Sequence, residues 1–163
     1  MTEPLVIGVS ELLRRPGTQR DFAVVAELEG LRISSATLPP GAEVAGRFTI
    51  EAMSDHAVTV KGDVTAPWTG ECRRCLRAID GTLTARVEEI FETRPVEGET
   101  YALQGEQVDL EPLVRDAVLL ALPLAPLCEE ACPGPEPEGH PIGTAEQHEI
   151  DPRWSALREL KFE

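Results

Sequence analysis

A chain of 163 residues is long enough for one domain with a real core and barely long enough for two. Aromatic residues make up only 4% of it, so the core must be built mostly from Val, Leu, Ile and Ala. The formal net charge of −14 argues against a surface that binds nucleic acid broadly, because such binding depends on basic side chains that displace condensed counterions.

The acidity is uneven. Residues 1–94 hold 11 Lys or Arg against 14 acids, whereas residues 95–163 hold 4 against 15. A function that touches RNA is therefore expected to act through a basic protein partner or a small local patch. Met1 to Val9 lacks the basic front and long apolar stretch of a signal peptide. No window approaches the roughly 18 uninterrupted apolar residues of a membrane helix. A soluble, cytoplasmic protein with no membrane partner is expected.

In chain order, Leu5 to Val9 reads as a short strand, and Ser10 offers an N-cap to a brief helix that Pro16-Gly17 ends. A period of two then dominates. Phe22, Val24, Ala26 and Leu28 alternate with more polar neighbours, as do Val44, Gly46, Phe48, Ile50 and Ala52, and then Val58, Val60 and Val64. Asp80-Gly81 gives a hairpin-type signal. Leu83, Ala85 and Val87 alternate until the phase slips at Ile90-Phe91, which suggests a bulge or a strand end. Residues 94–108 read as a polar connector. Asp109 is expected to cap a helix over 109–122, whose stripe of Leu113, Val114, Ala117, Val118 and Ala121 is widened by Leu119, Leu120 and Leu122. A helix this apolar should be covered on most sides, across the sheet.

The predicted fold class is α+β: a mostly antiparallel sheet, curled toward a barrel, under one covering helix, with an acidic, partly disordered tail ending in a short helix. One domain over residues 1–132 is followed by a flexible acidic linker, 133–150, rich in Pro, Gly and Glu. Asp151-Pro152 then opens an amphipathic helix over 151–163, with Trp154, Leu157 and Leu160 on one face.

The cysteines carry the chemistry. Cys72-Arg73-Arg74-Cys75 and Cys128-Glu129-Glu130-Ala131-Cys132 are two close pairs separated by 52 residues. A CxxC lets two thiolates turn toward one ion, and tetrahedral Zn²⁺ takes four such donors at about 2.3 Å. The first pair falls between two strands, where a short connection can form a knuckle. The second follows a helix stopped by Pro123 and Pro126, in a segment able to bend back. A structural zinc held by Cys72, Cys75, Cys128 and Cys132 is the working reading. Three others stay open: a disulfide framework, which a reducing cytosol disfavours; unliganded packing cysteines; and a cytosolic thiol-redox protein using the CxxC pair, whose thiolate Arg73, Arg74 and Arg77 would activate. The redox motif ordinarily opens a helix after a parallel strand, and that pattern is missing here. The same three arginines are the best local basic cluster and the candidate contact for RNA or phosphate.

No catalytic constellation is present: there is no phosphate-cradling Gly-rich loop and no HExxH, and His56, His140 and His148 have no nucleophile beside them by any motif. No catalytic residue, enzymatic activity or small-molecule substrate is expected. The carboxylate pairs Glu88-Glu89 and Glu129-Glu130 read as solvated faces.

Three segments resemble one family. Glu71-Cys72-Arg73-Arg74-Cys75-Leu76 is similar to its CxRC-type element. Val108 to Asp116, continued through Leu122-Pro123-Leu124-Ala125-Pro126-Leu127-Cys128, is similar to its helical signature. Asp151 to Leu157 is similar to the ending of many bacterial members. The family is YceD, the large ribosomal RNA subunit accumulation proteins. The resemblance implies a non-enzymatic role in accumulation of large-subunit (23S) ribosomal RNA and in ribosome assembly. Its implied partners are a large-subunit ribosomal protein or a pre-ribosomal particle, with ribosomal RNA itself as a second candidate. Many relatives carry another cysteine pair after the second; here Glu136 and Gly139 stand at those positions, so a second metal centre is not expected, and His140 or His148 is a candidate replacement ligand.

Overall fold

The structure is a computed structural model that describes residues 5–135. The helix expected over 151–163 and nearly all of the 133–150 linker lie outside the described residues, as do Glu136, Gly139, His140 and His148.

The chain runs β1 (Val6–Gly8), α1 (Ser10–Leu13), β2 (Gln19–Glu27), β3 (Ala36–Thr37), β4 (Glu43–Ala52), β5 (Ala57–Glu71), β6 (Ala78–Glu92), β7 (Tyr101–Gln104), β8 (Gln107–Asp109) and α2 (Glu111–Ala121). One sheet orders the strands β1-β8-β7-β6-β5-β4-β2, with β3 paired to β5 beyond the end of β4. It is antiparallel except where β7 runs parallel to β6 at Phe91 and Tyr101. The fold is mostly sheet, curled into a half-barrel, with few helices.

The period-two reading holds for the central strands. Val24 and Ala26, the five even positions of β4, and Val58, Val60, Val64 and Ala66 of β5 all turn to one buried face. α2 packs on that face against β6 and β5 through Leu113, Val114, Ala117 and Val118. Among the described residues no polar or charged side chain is buried, so the side chains of the core are apolar throughout.

Several expectations need correction. Ser10 begins α1 itself; Val9 occupies the cap position, without a side-chain hydrogen bond. α2 begins at Glu111, not at Asp109. Asp109 is still the last residue of β8, paired with Val6, and its Oδ1 accepts the Glu111 N–H at 3.0 Å from one position farther out. The helix stops at Ala121 because Leu122 is extended, the conformation that a following proline favours. Nor is α2 covered on most sides: Leu120 is 87% exposed.

Asp80-Gly81 makes no turn. Both residues lie inside β6, and Gly81 sits opposite Trp68, whose ring leaves only 3.0 Å to a Cβ built there. The reversal is made instead by Cys72 to Arg77, between β5 and β6. There is no bulge at Ile90-Phe91, since pairing runs unbroken from Ala57↔Glu92 to Glu71↔Ala78; the strand end expected there comes at Glu92. Leu83, Val87 and Phe91 share one buried face, and the polar Glu89 between them only makes the phase look slipped. Residues 94–108 hold β7 and part of β8, a hairpin turning at Gly105 and Glu106.

Two glycines separate tight packing from open space. A Cβ on Gly62 would overlap the Arg47 carbonyl of β4, whereas one on Gly8 meets nothing within 4 Å. Gly62→Ala is therefore expected to lower stability by about 1–3 kcal/mol, while Gly8→Ala stays within about 0.5 kcal/mol. Urea unfolding of the two variants in parallel checks the contrast.

Candidate metal centre

The tip of the β5–β6 ribbon is a tight knuckle. The Cys72 N–H donates to the Arg77 carbonyl at 2.9 Å, and the Leu76 N–H to the Cys72 carbonyl at 2.9 Å. Leu76 takes a left-handed backbone (φ 61°), the one non-glycine residue with positive φ among those described. That conformation folds the chain back so that N–H groups point at sulfur. The Cys72 thiol is accordingly lowered to about 6, first by the N–H of Cys75, against the opposing effect of burial. The Cys75 thiol is also lowered, chiefly by the N–H of Arg77.

The second pair is brought to the knuckle by the loop after α2. The Pro123 carbonyl accepts the Ser35 hydroxyl at 2.8 Å, and the Pro126 carbonyl accepts the Arg73 N–H at 2.9 Å. The prolines that stop the helix thus also pin its exit. Arg74 and Arg77 complete the docking: Arg74 Nη1 donates to the Cys132 carbonyl at 2.8 Å, and Arg77 Nη2 to Cys128 Sγ at 3.4 Å. The Arg77 guanidinium is raised further by its hydrogen bond to Cys75.

All four sulfurs lie within 4.8 Å of one another. Cys72 Sγ is 3.8 Å from Cys132 Sγ, and Cys75 Sγ is 3.7 Å from Cys128 Sγ. A tetrahedron with metal–sulfur bonds of about 2.3 Å has edges of about 3.8 Å, whereas a disulfide needs about 2.05 Å. All four cysteines are free thiols, and both short contacts cross between the two segments. Cys72 and Cys132 are buried, with Cys75 and Cys128 half-buried. Burial, with hydrogen bonds from the other thiols, pushes the Cys128 thiol up to about 12. A metal ion takes the thiolate form, so binding one ion here would release the protons that the thiols hold without it. The donor set fits a structural metal held by Cys72, Cys75, Cys128 and Cys132. Arg73, the remaining member of the arginine cluster, lines a groove of about 440 Å³ beside the knuckle, together with Arg32 and Leu76.

Comparison with known proteins places the chain in a family. A family model described as "Large ribosomal RNA subunit accumulation protein YceD" matches residues 60–161. The chain belongs to the YceD family. The matched region takes in β6, α2, all four cysteines and β5 from Val60 onward. An uncharacterized protein of Mycobacterium tuberculosis is 31% identical over 172 residues, covering 98% of this chain and 83% of its own. One from Mycobacterium leprae is 30% identical over 179 residues, covering 98% and 79%. A protein of Arabidopsis thaliana named "Large ribosomal RNA subunit accumulation protein YCED homolog 2, chloroplastic" is 26% identical over 137 residues, covering 76% of this chain and 60% of its own. No solved structure matches.

Within this YceD chain, sequence reading found the four cysteines but missed what positions them. Nothing in the residue type marks Leu76 as left-handed, and Ser35 is far away in the chain. A left-handed leucine is strained, and its side chain is 68% exposed, so little packing is lost on its removal. Leu76→Gly is expected to stabilise the fold by about 0.5–1 kcal/mol. Leu76→Val should destabilise it, because a β-branched residue tolerates positive φ worse. Thermal melts of the two variants should move in opposite directions.

Proposed function

We propose that this protein is a non-enzymatic, cytoplasmic factor that supports accumulation of large-subunit ribosomal RNA by binding a basic protein component of a pre-ribosomal particle. Membership of the YceD family carries this reading, with the name of the Arabidopsis relative beside it. A protein partner is favoured by the net charge of −14 and by the engagement of Arg74 and Arg77 with the second cysteine loop. A second reading, direct contact with ribosomal RNA phosphates, is supported by the pairing of Arg32 and Arg73 in one groove with the hydroxyl-bearing Ser34 and Thr37.

The ion we assign to the cysteine site is zinc. Four thiolates in a near-tetrahedral set suit a borderline-soft d¹⁰ ion, and four protein ligands leave no open position for substrate, the mark of a structural site. Its contribution is to folding, of the order of 10 kcal/mol in small zinc modules. The thiol-redox alternative gains no support: the CxxC is the tip of an antiparallel ribbon, and Cys72 is fully buried.

Metal analysis of the purified chain should return about one zinc per molecule. Chelation should lower the melting temperature, and Cys72→Ala or Cys132→Ala should abolish metal retention. In cells lacking the protein, large-subunit ribosomal RNA should fall relative to small-subunit RNA, and tagged protein should co-sediment with large-subunit precursors. Unchanged RNA levels together with no co-sedimentation would sink the assembly role. Arg73→Glu separates the two partner readings, because it removes association only if RNA phosphates are the contact.

A further inference from the structure

α2 does not seal the inner face of β6 along its whole length. Between them lies a cleft of about 290 Å³ whose floor includes Ala85, Leu113 and Ala117, with Leu120 at its mouth. Two carboxylates look into it. Glu89 lies in the inward-facing register of β6, opposite the fully buried Val60, and is half-buried although its neighbours Val87 and Phe91 belong to the core. Asp116, an exposed residue of α2, also lines the cleft and accepts the Tyr101 hydroxyl at 2.8 Å. Burial, Asp116 and the nearby charge of Glu89 together hold the Tyr101 phenol well above its ordinary range, so it stays a neutral donor.

Among the described residues neither carboxylate has a cationic partner within 4.0 Å. Lys61 pairs with Glu88 on the outer face, and Arg115 pairs with Glu111. Arg86 also borders the cleft, but strand alternation turns its side chain outward, where Asp63 lies across the pair. A half-buried carboxylate on an apolar wall is costly to leave unpaired. Leu120, 87% exposed, is an equally unprovided-for apolar group at the same opening.

We propose that this cleft is the docking site for a basic protein segment: one Lys or Arg enters between Glu89 and Asp116, its aliphatic stem lies on Ala85, Leu113 and Ala117, and an apolar neighbour covers Leu120. The carboxylates and the apolar floor match the two halves of such a side chain. This rests on the reading that the partner is a basic protein, and it names the surface that receives it.

The test uses the full-length, zinc-loaded, isotope-labelled chain, titrated with a synthetic Arg/Leu peptide, a Glu/Leu counterpart and poly(U) RNA. The Arg/Leu peptide should shift amide signals of residues 85–89 and 113–121, with affinity falling as salt rises. The double variant Glu89→Gln, Asp116→Asn keeps the shapes and the Tyr101 acceptor, and should weaken binding by at least about tenfold. Leu120→Ser, at an exposed site that should not affect folding, should weaken it as well. Unchanged affinity in the double variant, shifts confined to the acidic C-terminal residues, or RNA occupying the same cleft would each overturn the proposal. So would a peptide-free chain in which Trp154 contacts Leu120, or one whose cleft signals depend on protein concentration, since the occupant would then be the chain's own end or a second copy. Co-sedimentation with large-subunit precursors is measured alongside for wild type and double variant. Equal co-sedimentation of both refutes the cleft alone, whereas none by the wild type refutes the assembly role.

Discussion

β5 and β6 pair over fifteen residues each without a break, and the rest of the fold is hung on that ribbon. β4 and β2 extend one side, β7, β8 and β1 extend the other, and α2 lies on its inner face. Because side chains alternate, a slip of one residue would expose Val58, Val60 and Val64 and bury Thr59, Lys61 and Asp63. Two devices fix the register. One is the apolar face itself; the other is the knuckle, whose hydrogen bonds between Cys72, Leu76 and Arg77 fit only one pairing of Glu71 with Ala78.

The ribbon tip is also where the fold is closed against the chain's later part. α2 is held at its start by Asp109, still paired in the sheet, and at its end by the Pro123 and Pro126 carbonyls and the second cysteine pair. A short helix gains little stability from its own hydrogen bonds. Here it gains from an apolar face against β6 and from being tied down at both ends. Contacts to the knuckle come from residues more than fifty positions away in sequence, so the cysteine cluster closes a long loop. Its formation gathers the entropy cost of that closure into one site.

Legibility in the sequence followed the range of the interaction. The alternation in β2, β4 and β5 could be read directly, because a strand with one wet face repeats every two residues. The four cysteines were legible by spacing and count, and they converge at the ribbon tip. The hairpin signal at Asp80-Gly81 misled because glycine there answers a different need, room for the Trp68 ring across the strand pair. The 94–108 segment looked like a plain connector because β7 and β8 are only four and three residues long, too short to show a period. Leu76, Ser35 and the carbonyls of Pro123 and Pro126 act through backbone geometry, which residue type does not encode.

Glu89 shows the same limit and what lies beyond it. Beside Glu88 it looks like half of a solvated acidic pair, yet strand alternation sends the two side chains to opposite faces. Glu88 meets Lys61 in water, and Glu89 enters the apolar side opposite Val60. A sequence optimised for stability alone would place Val or Leu there, since an apolar side chain would fill the space under α2 at no desolvation cost. The carboxylate and the gap occur together, between a helix fastened at both ends and a strand fixed in register. The walls on either side are therefore set before anything binds. Ordering such walls costs little at the moment of binding, because they were placed in folding.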